Sequence, residues 1–120
     1  GQRCKMVNQI CIAGILQGLA EGFTLAKASG LDIQTVASVL GGGAAQSWQL
    51  DNRATTMVAG EFDFGFAIEW MHKDLDICLQ EAERLGLSLP MTRDVDARYQ
   101  ALMARGLGRC DTSVLIRQFD

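Results

Sequence analysis

Residues 6–20, MVNQICIAGILQGLA, carry no charged side chain and are apolar nearly all round a helical wheel. That pattern marks a buried helix rather than an amphipathic surface one. It predicts a helix continuing through Glu21 to about Ser29, with Gly30 as its C-terminal stop. About 25 residues is long for a helix in a small domain, and one buried on all sides needs cover from a neighbouring domain or a twin subunit. Asp32 predicts an N-cap for a short helix to about Leu40, which Gly41-Gly42-Gly43 stops. A second short helix is expected around Ala45 to Arg53, and residues 54–65, with Gly60 and Gly65, read as a loop. A further helix is predicted from about Phe66 to Leu85, capped by Gly86. Ser88 and Pro90 open another that reaches about Arg105, and Asp111 or Thr112 caps a last short one. No run alternates β-branched residues between turn signals. The expected fold class is therefore all-α: about five to six helices, built around one long buried N-terminal helix and a second long helix.

With 120 residues the chain is long enough for one domain, 1–120, and too short for two. A net charge of −3 argues against nucleic acid as a partner, and no Lys/Arg cluster suggests a membrane surface. The charge-free run falls short of the ~20 residues a membrane span needs, and it contains Asn8, Gln9 and Gln17. Cys4, Cys11, Cys78 and Cys110 show neither a zinc spacing nor CxxC, so no metal site is expected. On a helix, Cys4 and Cys11 stand about 10 Å apart along the axis, too far for a disulfide. Four thiols of this kind fit a reducing, cytoplasmic setting. The start, Gly1-Gln2-Arg3-Cys4-Lys5, has neither an initiator Met nor a leader cleavage pattern and reads as a piece of a longer chain.

Few residues invite chemistry. Lys5, Asn8, Ile12, Leu16, Leu19 and Phe23 fall on one helical stripe, so a lysine and an amide head an apolar face. Such an ammonium is either desolvated and suited to proton transfer or a helix-end lysine that snorkels to water. Phe66, Trp70, Lys73 and Ile77 form a second stripe, in which Lys73 either interrupts an apolar line or pairs with Glu69 four residues before it. Glu69, His72, Asp76 and Glu83 share another face, expected to be solvated, which leaves His72 among surface charges. The triple glycine lacks GK[ST] and GxGxxG, and no strand precedes it. Ser47 has no nucleophile-elbow pattern around it.

Gly1-x-x-x-Lys5-Met-Val-Asn8-Gln9, the long apolar helix ending Ala26-Lys27-Ala28-Ser29-Gly30-Leu31-Asp32, Gly41-Gly42-Gly43-Ala-Ala-Gln-Ser47-Trp48, Phe66, Met71-His-Lys73-Asp74-Leu75 and Leu87-Ser-Leu-Pro90 together resemble the C-terminal helical domain of the β-hydroxyacid dehydrogenases. This family includes 3-hydroxyisobutyrate dehydrogenase and tartronate semialdehyde reductase, and the resemblance covers essentially the whole chain. It implies an NAD- or NADP-dependent oxidoreductase that interconverts a small 3-hydroxy acid and its semialdehyde. It further implies an N-terminal Rossmann domain absent from this chain, and a homo-oligomer. By the same resemblance Lys5 matches the catalytic lysine. The family usually has Asn four residues after that lysine, where this chain has Gln9; Asn8 stands at three, and either amide could hold substrate. Phe66, Lys73 and Asp74 match positions facing the cofactor. The reading from another class is a non-catalytic helical oligomerisation module, in which both lysines are structural.

Overall fold

The computed structural model describes residues 1–120. Five α-helices follow in order: α1 (Gln2–Ala28), α2 (Ile33–Gly41), α3 (Trp48–Ala59), α4 (Ile68–Arg84) and α5 (Pro90–Ala104), with a closing 3₁₀ helix, Thr112–Phe119. The only strand-like pairing is one isolated bridge between Ala67 and Asp111.

Local chemistry explains most of the boundaries. Asp32 accepts hydrogen bonds from the Thr35 amide and hydroxyl at 3.0 and 2.6 Å, so α2 begins where an N-cap can be satisfied. Ser47 does the same for α3, accepting from the Leu50 amide at 3.0 Å. This hydroxyl is thus a cap, and it starts the helix at Trp48 instead of near Ala45. Nor is 54–65 all loop: α3 runs on to Ala59 because Leu50, Ala54 and Met57, spaced four and three apart, continue its buried face. Gly60, at φ 81°, then takes the left-handed conformation that ends it. The triple glycine has no left-handed residue; a Cβ on Gly41 would meet only an Asp51 carboxylate oxygen at 3.3 Å, the end of an exposed side chain that can move aside.

The main core joins Leu16 and Ala20 of α1, Met57 of α3, Met71 and Leu75 of α4, Val95, Tyr99 and Leu102 of α5, and Val114 and Leu115 of the 3₁₀ helix. A smaller cluster, Phe23 with Leu50 and Ala54, ties the far end of α1 to α3.

The expectation of a long N-terminal helix buried on all sides is corrected. Only Gln9, Ala13, Leu16, Gln17, Ala20, Phe23 and Ala26 of α1 are buried. Val7, Cys11, Ile15, Gly18, Gly22 and Leu25 face outward, because the other helices pack along one side of it. The inward line is Gln9-Ala13-Leu16-Ala20-Phe23, which is rotated from the stripe expected through Asn8, Ile12 and Leu19. By length and composition α1 could cross a membrane, but its packed face makes it a core helix here.

His72, too, does not stand among solvated surface charges as its helix face suggested. It is half-buried, with Nδ1 2.7 Å from Asp96 Oδ1, because α5 packs against that side of α4. The buried Asp96 also accepts from Gln100 Nε2 at 2.9 Å. A carboxylate only accepts, so the Nδ1 position carries the proton.

Candidate active site

The first turns of α1 and the middle of α4 meet in a small cleft of about 60 Å³, lined by Gln2, Lys5, Met6, Gln9, Asp74 and Ile77. The two helices converge here because Met71, Leu75 and Cys78 of α4 point inward, which brings Asp74, one step round the helix from Lys73, against α1. Gln9 Nε2 donates to Asp74 Oδ2 at 2.9 Å and also approaches Met71 Sδ at 3.9 Å. Asn8 Nδ2 donates to Gln9 Oε1 at 3.0 Å. Lys5, Gln9 and Asp74 are therefore brought together, with Asn8 tied to their edge. Burial, and then the charge of Asp74, raise the pKa of the Cys78 thiol one turn along α4; its Sγ donates to the Met6 carbonyl at 3.7 Å, so this sulfur acts as packing rather than as a nucleophile.

Lys5 is exposed. The desolvated ammonium expected from the stripe is not formed within this chain, because the buried line of α1 begins one turn later, at Gln9. Lys73 and Phe66 do not line the cleft. Instead Trp70 (56% exposed), Lys73 and Ile77 (42%) form an uncovered stripe along the outside of α4, and Phe66 (38%), two residues before that helix begins, is exposed as well. Lys73 Nζ lies 5.7 Å from the Trp70 ring centroid, and no ion pair joins it to Glu69 (the salt bridges run elsewhere).

One cluster had no sequence signal, since its members lie far apart in the chain. Arg53 Nε donates to Asp111 Oδ2 at 3.1 Å. The same guanidinium lies over Phe64 at 4.1 Å and Trp48 at 5.1 Å. Asp111 is buried and also accepts from the Ser113 amide and hydroxyl, while its own amide donates to the Phe62 carbonyl and the Thr112 amide to that of Phe66. This clasp fixes both ends of the 61–67 segment, and with it Phe66.

Residues 1–119 match the family model described as NAD-binding of NADP-dependent 3-hydroxyisobutyrate dehydrogenase. The chain belongs to this family. It is 54% identical, over its full length, to an uncharacterized oxidoreductase of Shewanella frigidimarina, of which it covers 41%. Over its full length it is 33% identical to 2-hydroxy-3-oxopropionate reductase of Escherichia coli, again covering 41% of that protein. Among solved structures it resembles Mycobacterium tuberculosis 3-hydroxyisobutyrate dehydrogenase with L-serine, at TM-score 0.88 and 25% identity, covering 99% of this chain and 43% of the other. The chain thus spans about two-fifths of the length of these relatives.

The family description corrects the fold-class expectation. That expectation set an all-α C-terminal domain apart from the NAD-binding part, whereas the matched model is itself described as NAD-binding. The cofactor class that follows is NAD or NADP. The residues present fit one side of such a molecule: the uncovered stripe on α4 offers aromatic surface for a flat ring and one ammonium for a phosphate or ribose oxygen. A glycine-rich phosphate cradle after a strand is not among residues 1–120.

Proposed function

We propose that this chain carries the proton-transfer side of an NAD(P)-dependent dehydrogenase that interconverts a small 3-hydroxy acid and its semialdehyde. The observation that carries the reading is the cleft joining Lys5, Gln9 and Asp74, beside an uncovered aromatic and cationic stripe on α4. The names of the relatives, a 2-hydroxy-3-oxopropionate reductase and a 3-hydroxyisobutyrate dehydrogenase, support a short acid as substrate.

When bound, the nicotinamide supplies or accepts the hydride. The chain's own part is the proton. As a carbonyl is reduced, negative charge develops on its oxygen; the Lys5 ammonium stabilises that charge and donates a proton to it. In the oxidative direction the neutral amine takes the hydroxyl proton. Lys5 needs a drier setting than residues 1–120 give it, and the remaining three-fifths of the protein, closing over the cleft, would supply it. Phe66 and Lys73 face the cofactor in this reading. The outward face of α1, with Val7, Ile15 and Leu25 uncovered, supports a homo-oligomer, with a reducing cytoplasmic setting for the free thiols.

The test is hydride transfer by the full-length protein with short hydroxy acids and either nicotinamide cofactor. Lys5→Met keeps the side-chain stem and removes the proton donor, so kcat should fall by about 10²–10⁴ with cofactor binding little changed. A variant that keeps more than about half of wild-type turnover would show that Lys5 is not the acid.

A further inference from the structure

The hydrogen bonds at the cleft have a direction. A carboxylate only accepts, whereas an amide offers two donors on nitrogen and an acceptor on oxygen. The Asp74–Gln9 contact therefore admits only one orientation of the Gln9 amide, with Nε2 toward Asp74. The second Nε2 hydrogen points to the Met71 sulfur. Oε1 is then left facing Asn8, and the only group Asn8 can offer to it is Nδ2, which donates at 3.0 Å. Both ends of Gln9 are thereby occupied inside the chain, and its side chain is buried. Asn8, by contrast, is exposed, one helical turn after Lys5. With one Nδ2 hydrogen given to Gln9, its carbonyl oxygen is on the side away from Gln9.

Resting on the function proposed above, we infer that Asp74 is a positioning residue that acts through Gln9 to present Asn8 to the ligand as a hydrogen-bond acceptor beside the Lys5 ammonium. Gln9 is a strut rather than a substrate contact, and of the two amides only Asn8 meets the substrate. The rim of the cleft then pairs a cationic donor with a neutral acceptor. That combination suits a hydroxyl that donates to Asn8 while its oxygen faces Lys5, and it disfavours a carboxylate at the same spot, because the Asn8 oxygen would repel it.

The chain of donors can be broken and rebuilt in the full-length protein. Asp74→Asn is nearly isosteric but can donate or accept, so it no longer dictates the Gln9 orientation. It should lower kcat/KM for the hydroxy acid by on the order of tenfold, with the KM for cofactor unchanged and the helical circular dichroism intact. Adding Gln9→Glu moves the carboxylate one link along. The amide introduced at position 74 then donates to the carboxylate introduced at position 9, which still accepts from Asn8. The double variant should return to within about threefold of wild type. A merely structural role for Asp74 predicts no such rescue. Independently of activity, the one Asn8 Nδ2 proton given to Gln9 should exchange more slowly than its free partner proton in wild type and in the double variant, and the two should exchange alike in Asp74→Asn, as read by NMR. An unaffected Asp74→Asn, a double variant no better than the single one, or the same difference between the two Asn8 Nδ2 protons in all three proteins would overturn the inference. If instead the proton pattern appears but wild type transfers no hydride to or from any short hydroxy acid, the positioning stands and the dehydrogenase reading fails.

Discussion

Tyr99 offers a clean test of the core, because it is the only tyrosine among the 120 residues. Its side chain is fully buried and its hydroxyl donates to the Thr112 carbonyl at 3.1 Å. Burial, and then the charge of Asp111, push its phenol far above the ordinary value of about 10. A tyrosine is charged when it loses its proton, so above about pH 10 the unfolded chain gives up a proton that the folded chain keeps. The stability tied to this group is complete below about pH 10 and falls above it by about 1.4 kcal/mol per pH unit. At about pH 11 the loss is a noticeable part of the roughly 5–15 kcal/mol that holds such a domain together. Urea unfolding of the chain, followed together by tyrosinate absorbance and helical circular dichroism, reads this directly. The folded baseline at about pH 11 should show no tyrosinate, and the signal should appear at the same urea midpoint as the loss of helix. Tyr99→Phe should cost about 1–3 kcal/mol at neutral pH by leaving the Thr112 carbonyl without its partner, and its deficit against wild type should shrink as pH rises. Tyrosinate that forms near pH 10 with the helices intact would mean that Tyr99 is not buried in the folded chain.

The other predictions concern the two clusters outside the cleft. In the full-length protein, Lys73→Ala should weaken cofactor binding by about 1–3 kcal/mol, the scale of a charge-assisted hydrogen bond. Calorimetry beside Glu69→Ala separates this from a surface role, since unchanged affinity in Lys73→Ala would remove Lys73 from the site. Asp111→Ala strips the acceptor from Arg53 and from the buried Ser113 amide and hydroxyl, and because Arg53 is partly exposed and can rehydrate, a loss of about 3 kcal/mol is expected. Chemical denaturation checks it, and a loss under about 1 kcal/mol would mean that the clasp on the 61–67 segment carries no weight.

Most helix ends were legible in the amino-acid sequence, because capping is settled within a few residues; α3 was the exception, its start misplaced by three residues and its second half read as loop because its buried face shows only in the packed structure. Asp32 caps with Thr35, Ser47 with Leu50, Gly30, Gly60 and Gly86 turn left-handed, and Pro90 opens α5. The sequence also carried the family resemblance, which the match over residues 1–119 bears out. It did not determine which side of α1 faces inward. A run apolar on every side carries no strong amphipathic direction, so the inward line through Gln9, Ala13 and Leu16 was set by the helices that pack on it. The same is true of the polar contacts that join one helix to another. Gln9 meets Asp74 across 65 residues, Arg53 meets Asp111 across 58, and His72 meets Asp96 across 24. Spacing along one helix reports only its own faces. Which face gains a carboxylate, and which is left to water, depends on which helix arrives opposite it, and that is a property of the packed bundle alone.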